Sequence, residues 1–225
     1  MMRQALVVLN GHFQDYMVLK RGLNRVFKDI EPEVILGVDG GAAHLKALQL
    51  SPTHILGDFD SIEDCESLKG HYPDSEWLVY PKEKDYTDSE LALETIAEMG
   101  CDRVVVVGAF GGRLDHMIGT LFLLNRYHRL FEMILIDEQN QVTLLEGPIK
   151  QLIHRSEVPH KYVSFIPISD DAKGINLKGF KYPLVNAQVQ MGETIGISNE
   201  IEEKSAEITF DSGKLLMVFS DDKFL

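Results

Sequence analysis

The acidic residues that stand out in this chain sit in short turns behind apolar runs. "HILGDFDSIED" (54–64) crowds Asp58, Asp60, Glu63 and Asp64 together, "VDGGA" ends a second apolar run on Asp39, and "EKDYTD" carries Asp85 and Asp88. Carboxylates this close repel one another, and without a cation one or more would be pushed towards the protonated form. Their oxygens suit Mg²⁺, which takes near-octahedral oxygen coordination at about 2.0–2.1 Å and keeps several of its waters. Asp58 and Asp60, at i and i+2, can aim to one side of an extended turn, and Asp85 or Asp88 can complete the set from another loop. Taken singly, a D-x-D is commonly a solvated turn, and Asp88 beside Thr87 could serve a helix dipole alone. The functional reading rests on several such turns converging. Glu63 and Asp64 fit better at the solvated start of the next segment.

"GAFGGRLDH" (108–116) suggests a different chemistry. Gly108, Gly111 and Gly112 allow close backbone approach, a following helix would offer free N–H groups, and Arg113 adds a forked donor for phosphate oxygens. The segment is neither a Walker A sequence nor G-x-G-x-x-G, and a tight strand-to-helix turn would also account for its glycines. Lys82 and Lys84 are placed either to meet a polyphosphate or to be solvated. His44 and His116 follow helix starts, where packing, exposure and direct participation all remain open, while Trp77 fits a core position. No Ser-His-Asp order or activated cysteine stands out.

Turns of this kind need strands behind them. Six apolar runs, at 5–10, 34–39, 53–58, 76–81, 103–109 and 132–137, read as strands, most of them continuously apolar as strands covered on both faces must be. Helical patterns lie between them. Residues 87–99 form one, with capping-box spacing at Thr87 and Glu90 and a stop at Gly100, and 113–130 form another through Leu114, Met117, Ile118, Leu121 and Phe122. Strand and helix in succession argue for a parallel sheet with helices on both faces, whose ligands bind beyond the C-terminal strand ends. Asp39, Asp58, Asp60, Asp85, Asp88, Arg113 and Asp115 all fall at such ends. After about residue 140 the runs become short, alternating and β-rich, broken by Gly, Pro and Asn turns, and "FDSGKLL" predicts a hairpin near 210–216. A separate all-β domain, a β-sandwich or jelly-roll, is therefore expected.

Composition sets the outer limits. The 225 residues are 44% hydrophobic and 25% charged, enough for one large or two small domains with a real core. A net charge of −13 disfavours nucleic acid as a partner, whereas a small anion escorted by a divalent cation remains suitable. No apolar run reaches the roughly 18–20 residues of a membrane span, and Ala5–Leu9 behind one arginine lacks signal-peptide architecture, so a cytoplasmic protein without membrane contact is expected. Cys65 and Cys101 have neither the spacing nor the neighbours of a zinc site and are expected to be reduced thiols.

Read in order, "DGGA" (39–42), "GDFDS" (57–61), "KDYTDSE" (84–90), "GGRLDH" (111–116), "LKGFKYPL" (177–184) and "GISNE" (196–200) form a set that resembles the thiamine pyrophosphokinase family, bacterial type, over nearly the whole chain. The resemblance implies a Rossmann-like α/β domain over 1–139 that binds nucleotide and Mg²⁺, then a β-sandwich or jelly-roll domain over 140–225 for thiamine binding and dimerisation. It implies transfer of the pyrophosphoryl group of ATP to the thiamine hydroxyl, giving thiamine diphosphate and AMP, with sites shared between the subunits of a homodimer. By motif, Asp58, Asp60, Asp85 and Asp88 would hold Mg²⁺. Asp39, Lys82, Lys84, Arg113, Asp115 and His116 would bind ATP, and Ser198 and Asn199, with Asp60, would bind thiamine. Asp60, Asp88 and Arg113 would carry the chemistry. "DGGAAHL" lacks the Asn-Arg of eukaryotic members and "EKDYTD" lacks a Gln beside its first Asp, departures that touch substrate contacts rather than the acids. A metal-dependent phosphohydrolase and a non-enzymatic nucleotide or metabolite sensor are the competing readings.

Overall fold

The computed structural model describes residues 2–57, 59, 65–80 and 85–222. The chain divides into two compact units, Met1–Glu138 and Gln139–Leu225.

The first unit alternates strand and helix. Its strands are β1 (Gln4–Val8), β2 (Val34–Val38), β3 (His54–Gly57), β4 (Glu76–Val79), β5 (Arg103–Val107) and β6 (Glu132–Ile136), and its helices are α1 (Tyr16–Phe27), α2 (Gly41–Leu48), α3 (Cys65–His71), α4 (Asp88–Glu98) and α5 (Leu114–Tyr127). Every pairing among the six strands is parallel, in the order β6-β5-β1-β2-β3-β4. All six expected strands are present, each ending one or two residues short of its apolar run. The inner strands are buried as their sequences require, whereas β4 at the sheet edge leaves Val79 70% exposed.

Local signals start and stop the helices. The Asp15 carboxylate accepts the N–H groups of Met17 and Val18 at 2.8 and 3.1 Å and so opens α1. Leu19, Leu23, Val26 and Phe27 then follow one another down a single stripe, all buried in a core shared with Leu45, Leu48 and the strand residues Leu6, Val8 and Ile55. Each such side chain contributes roughly 1.5–3 kcal/mol by leaving water. Thr87 caps α4 by accepting the Glu90 N–H at 3.2 Å, while the Glu90 carboxylate pairs with Arg126 of α5 at 2.7 Å. Gly100 follows the helix with φ +67°, the left-handed stop its sequence position predicts.

The chain lays down β1 to β4 in one direction across the sheet, then returns to the other side of β1 to place β5 and β6. Loops leaving the C-terminal ends of β1 and β5 therefore part in opposite directions, and a crevice must open between them.

The second unit is β throughout, apart from one short 3₁₀ turn at Arg155–Glu157. Its strands are β7 (Asn140–Glu146), β8 (Ile149–His154), β9 (Tyr162–Pro167), β10 (Asp171–Lys178), β11 (Leu184–Gln190), β12 (Asn199–Glu200), β13 (Ser205–Phe210) and β14 (Lys214–Ser220). Antiparallel pairings give two sets, β12-β9-β14-β7 and β11-β10-β13-β8. Phe165, Met217 and Phe219 of the first set and Leu177, Ile208 and Phe210 of the second meet in one core.

The hairpin expected near 210–216 is not formed. Strands β13 and β14 lie in different sets, and the turn pairs with β10 instead: Asp211 donates to the Lys173 carbonyl at 2.8 Å and Lys173 donates to the Ser212 carbonyl at 3.0 Å. The turn residues suit either connection, but only a crossing lets Phe210 and Leu215 enter the shared core from both sides. Among the described residues, no helix is long and apolar enough to cross a membrane.

Candidate functional site

The crevice required by the strand order is present in the first unit as a cavity of about 270 Å³. Leu9, Asn10 and Gly11 bring it the turn after β1, and Val38 and Asp39 bring the end of β2. Gly108, Ala109, Gly112 and Arg113 come from the turn after β5, Asp88 and Ser89 from the start of α4, and His116 and Thr120 from α5.

Two glycine contacts fix these turns. A Cβ on Gly11 would lie 2.2 Å from the Gly108 carbonyl oxygen, so the turns after β1 and β5 touch backbone to backbone and leave no room for a side chain between them. A Cβ on Gly57, the last residue of β3, would lie 1.7 Å from Oδ1 of Asp39. The Asp39 carboxylate thus lies against the strand end from which Asp58 and Asp60 follow in sequence. Asp39 itself takes φ +46°, an uncommon conformation for a residue with a side chain, held by an N–H bond to the Leu56 carbonyl at 2.8 Å and by its own carbonyl accepting from Ala42 at 3.1 Å.

Of the residues singled out from the sequence, Asp39, Asp88, Arg113 and His116 line this one cavity. Asp85 is exposed and is not among its lining residues. Asp115 does not line it either: its carboxylate takes the Arg113 guanidinium, with Nε to Oδ1 at 3.2 Å and Nη2 to Oδ2 at 2.6 Å. That hydrogen bond pushes the pKa of Arg113 up and that of Asp115 down. Both side chains are open to water, so the pair adds little stability and serves mainly to aim the guanidinium. Asp58, Asp60, Lys82 and Lys84 lie outside the described residues. Phe59 is described, with φ +61° and its ring 5.1 Å from that of Trp77, which packs against the core as its position in β4 suggests. Among the described residues, no group of three His, Cys, Asp or Glu side chains forms a metal site.

The cavity suits an anion on one side. Neither α2 nor α5 has a side-chain cap, and both begin at residues adjoining its lining. Their positive dipole ends, with the Arg113 fork, favour phosphate oxygens, while Asp39 and Asp88 bring the hard oxygen donors a divalent cation would need.

Asn10, Gly11, Ser89 and Thr120 also line the cavity without having been singled out from the sequence. "LNG" at 9–11 carried a usable signal, since Asn-Gly is turn chemistry and the first strand of such a sheet ends at its reversal point. Thr120 gave none, being a buried helix residue whose hydroxyl donates to the His116 carbonyl at 2.9 Å.

In the second unit the motifs "LKGFKYPL" and "GISNE" close on each other. Asn199 is 3% exposed, and its Oδ1 accepts from the Tyr182 and Glu200 N–H groups at 3.0 and 2.9 Å while Nδ2 donates to the Tyr182 carbonyl at 2.7 Å. Lys181 adds an ion pair to Glu200 at 2.7 Å. Ser198 is exposed at φ +59°, its N–H donating to the Ser164 hydroxyl at 3.0 Å.

Comparison with known proteins matches both parts of the chain. The family model described as "Thiamin pyrophosphokinase, catalytic domain" matches residues 21–136, and "Thiamin pyrophosphokinase, vitamin B1 binding domain" matches 150–215. The thiamine pyrophosphokinase of Bacillus subtilis (strain 168) is 37% identical over 188 residues, covering 83% of this chain and 87% of that protein. Thiamine pyrophosphokinase 1 of Oryza sativa subsp. japonica is 30% identical over 85% of this chain and 73% of its own length. Among solved structures, the Bacillus subtilis thiamine pyrophosphokinase superposes with a TM-score of 0.85 at 31% identity, covering 98% of this chain and 100% of that one. The Geobacillus thermodenitrificans thiamin pyrophosphokinase does so with 0.82 at 33% identity, covering 99% and 100%.

Proposed function

The chain belongs to the thiamine pyrophosphokinase family, and from that premise we propose that it transfers the pyrophosphoryl group of ATP to the hydroxyl of thiamine, giving thiamine diphosphate and AMP. The observation that carries this reading onto the structure is the cavity at the sheet's reversal point, which brings Asp39, Asp88 and the pair Arg113 and His116 together from three separate stretches of chain.

In this reaction the thiamine oxygen forms a bond to the β-phosphorus as the bond from that phosphorus to the α–β bridging oxygen breaks. AMP leaves, and the hydroxyl proton passes to a nearby carboxylate. Little covalent work falls to the protein, so its side chains act by positioning and by matching charge. Arg113, aimed by Asp115, takes phosphate oxygens on the nucleotide side. Asp39 and His116 bound that side with Lys82 and Lys84. Aspartate oxygens fit a hard divalent cation, which we read as Mg²⁺ held by Asp58, Asp60, Asp85 and Asp88; when bound it would neutralise charge on the phosphates. Asp60, Asp88 and Arg113 are the residues we place at the reacting groups. Ser198 is proposed to reach thiamine, alongside Asp60, with Asn199 fixing the backbone beside it.

By fold we read the first unit as Rossmann-like and the second as a jelly-roll-type sandwich, serving catalysis and thiamine binding respectively, in a cytoplasmic homodimer with shared sites. Exposed apolar side chains of the second unit, Val185 at 84% and Ile195 at 62%, support a buried role in such a dimer.

Incubation with thiamine, ATP and Mg²⁺, followed by mass detection of products, tests the reaction. Thiamine diphosphate and AMP in equal amounts support it. Phosphate released equally with and without thiamine would replace it with a hydrolase, and binding without AMP with a sensor.

A further inference from the structure

His44 stands on α2 outside the cavity lining, and nothing in the reaction above uses it. It is nevertheless closely engaged by its neighbours. Its Nδ1 lies 2.7 Å from the Tyr16 hydroxyl, and its ring meets that of Phe13 edge-on with centroids 4.3 Å apart. Phe13 in turn stacks on Tyr16 at 5.7 Å. Gly11, two residues before Phe13, forms part of the cavity wall.

These partners belong to one segment. Residues 10–16 leave β1 through Asn10 and Gly11, both at the cavity, and enter α1 through Phe13 and Tyr16. The far side of the segment is held by the buried Glu138 carboxylate, which accepts the N–H groups of Gln14 and Asp15 at 2.6 and 3.0 Å. Its near side is held by His44. Gly11 is packed against the Gly108 turn too closely to admit a side chain, so movement of the segment must change the cavity wall. Burial keeps the imidazole pKa below its ordinary value, which favours the neutral ring.

We propose that His44 is a positioning residue for the nucleotide: clamped by Tyr16 and Phe13, it holds the Asn10–Gly11 turn at the height that lets the cavity receive ATP. The inference rests on the reading of this cavity as the ATP site. It assigns to α2 a role that the phosphate-facing residues do not cover.

The test is a double-mutant cycle on the Tyr16–His44 bond, with steady-state constants for both substrates and a thermal midpoint for every variant. Tyr16→Phe and His44→Phe each keep an aromatic ring and remove the bond, and each raises KM for ATP about fivefold to tenfold, the worth of one neutral hydrogen bond. KM for thiamine and kcat stay within about twofold, and the double variant is no worse than either single one because all three have lost the same bond. Multiplying effects in the double variant, equal rises in both KM values, or a KM for ATP that follows loss of the thermal midpoint would each overturn the role. Wild-type enzyme assayed alongside separates the two levels: active wild type with unchanged variants removes His44 alone, whereas wild type that makes no thiamine diphosphate removes the reading beneath it.

Discussion

Both units carry short polar motifs at the ends of strands, yet they use them differently. In the first unit, Asp39, Asp88 and Arg113 face a cavity whose walls are set by close approach: the Gly11 turn against Gly108, and Gly57 against the Asp39 carboxylate. In the second, Asn199 turns inward, and its amide is consumed by the backbone of Tyr182 and Glu200. A polar motif residue can therefore be a contact group or a brace, and the two must answer mutation differently. Losing a contact group costs turnover in a protein that stays folded, whereas losing a brace costs stability first.

The largest effects should come from breaking the first arrangement. Gly57→Ala places a methyl group where Oδ1 of Asp39 lies, and displacement by about an ångström at such a site costs about a hundredfold in kcat/KM with circular dichroism unchanged. Asp60→Asn should likewise stay folded and lose most turnover; near-normal rates at saturating Mg²⁺ would remove Asp60 from the metal set. Next, Arg113→Ala should raise KM for ATP about tenfold to a hundredfold, the worth of a charge-assisted hydrogen bond, and Asp115→Ala only about threefold, since it aims the guanidinium without lining the cavity. Equal losses in the two variants would make Asp115 a contact group instead.

The second arrangement is tested by Asn199→Ala, which leaves the Tyr182 backbone groups without their partner. About 1–3 kcal/mol of stability should disappear in urea titration, with KM for ATP unchanged. An intact urea midpoint would place Asn199 with the contact groups.

The smallest expected effect is a pH slope. His44 is held below its ordinary pKa of 6.5 by burial, with His12 adding repulsion, so below about pH 6.5 the unfolded chain takes up a proton that the folded chain resists. Stability should fall as pH drops through that window, and His44→Phe should flatten the fall in urea midpoints between pH 7.5 and 5.5. An identical slope in the variant would assign the fall to other groups.

Much of the first unit was legible in the sequence because its signals are local. Continuous β-branched runs such as "RVVVV" announce a strand buried on both faces, and Thr87 and Gly100 bracket α4 by capping chemistry that needs no tertiary partner. The acids could be placed at strand ends for the same reason. At Asn10 the sequence shows a turn without showing which other turn it faces. The "FDSGKLL" turn misled because Asp, Ser and Gly suit a hairpin and a crossing between sheets equally well; pairing with Lys173, distant in sequence, decided between them.

The sequence by itself determined the six strands of the first unit, the helices α4 and α5 with the Thr87 cap and Gly100 stop of α4, and which residue types stand at the strand ends, since all of this follows from side-chain period, capping groups and turn chemistry over a few neighbouring residues. Tertiary structure alone decided the strand order that opens the cavity between β1 and β5, the need for glycine at 11 and 57, and the division of the motif residues into contact groups and braces. Those outcomes depend on close approach between segments far apart in the chain, where the presence of one methyl group or one unpaired amide settles which arrangement can pack.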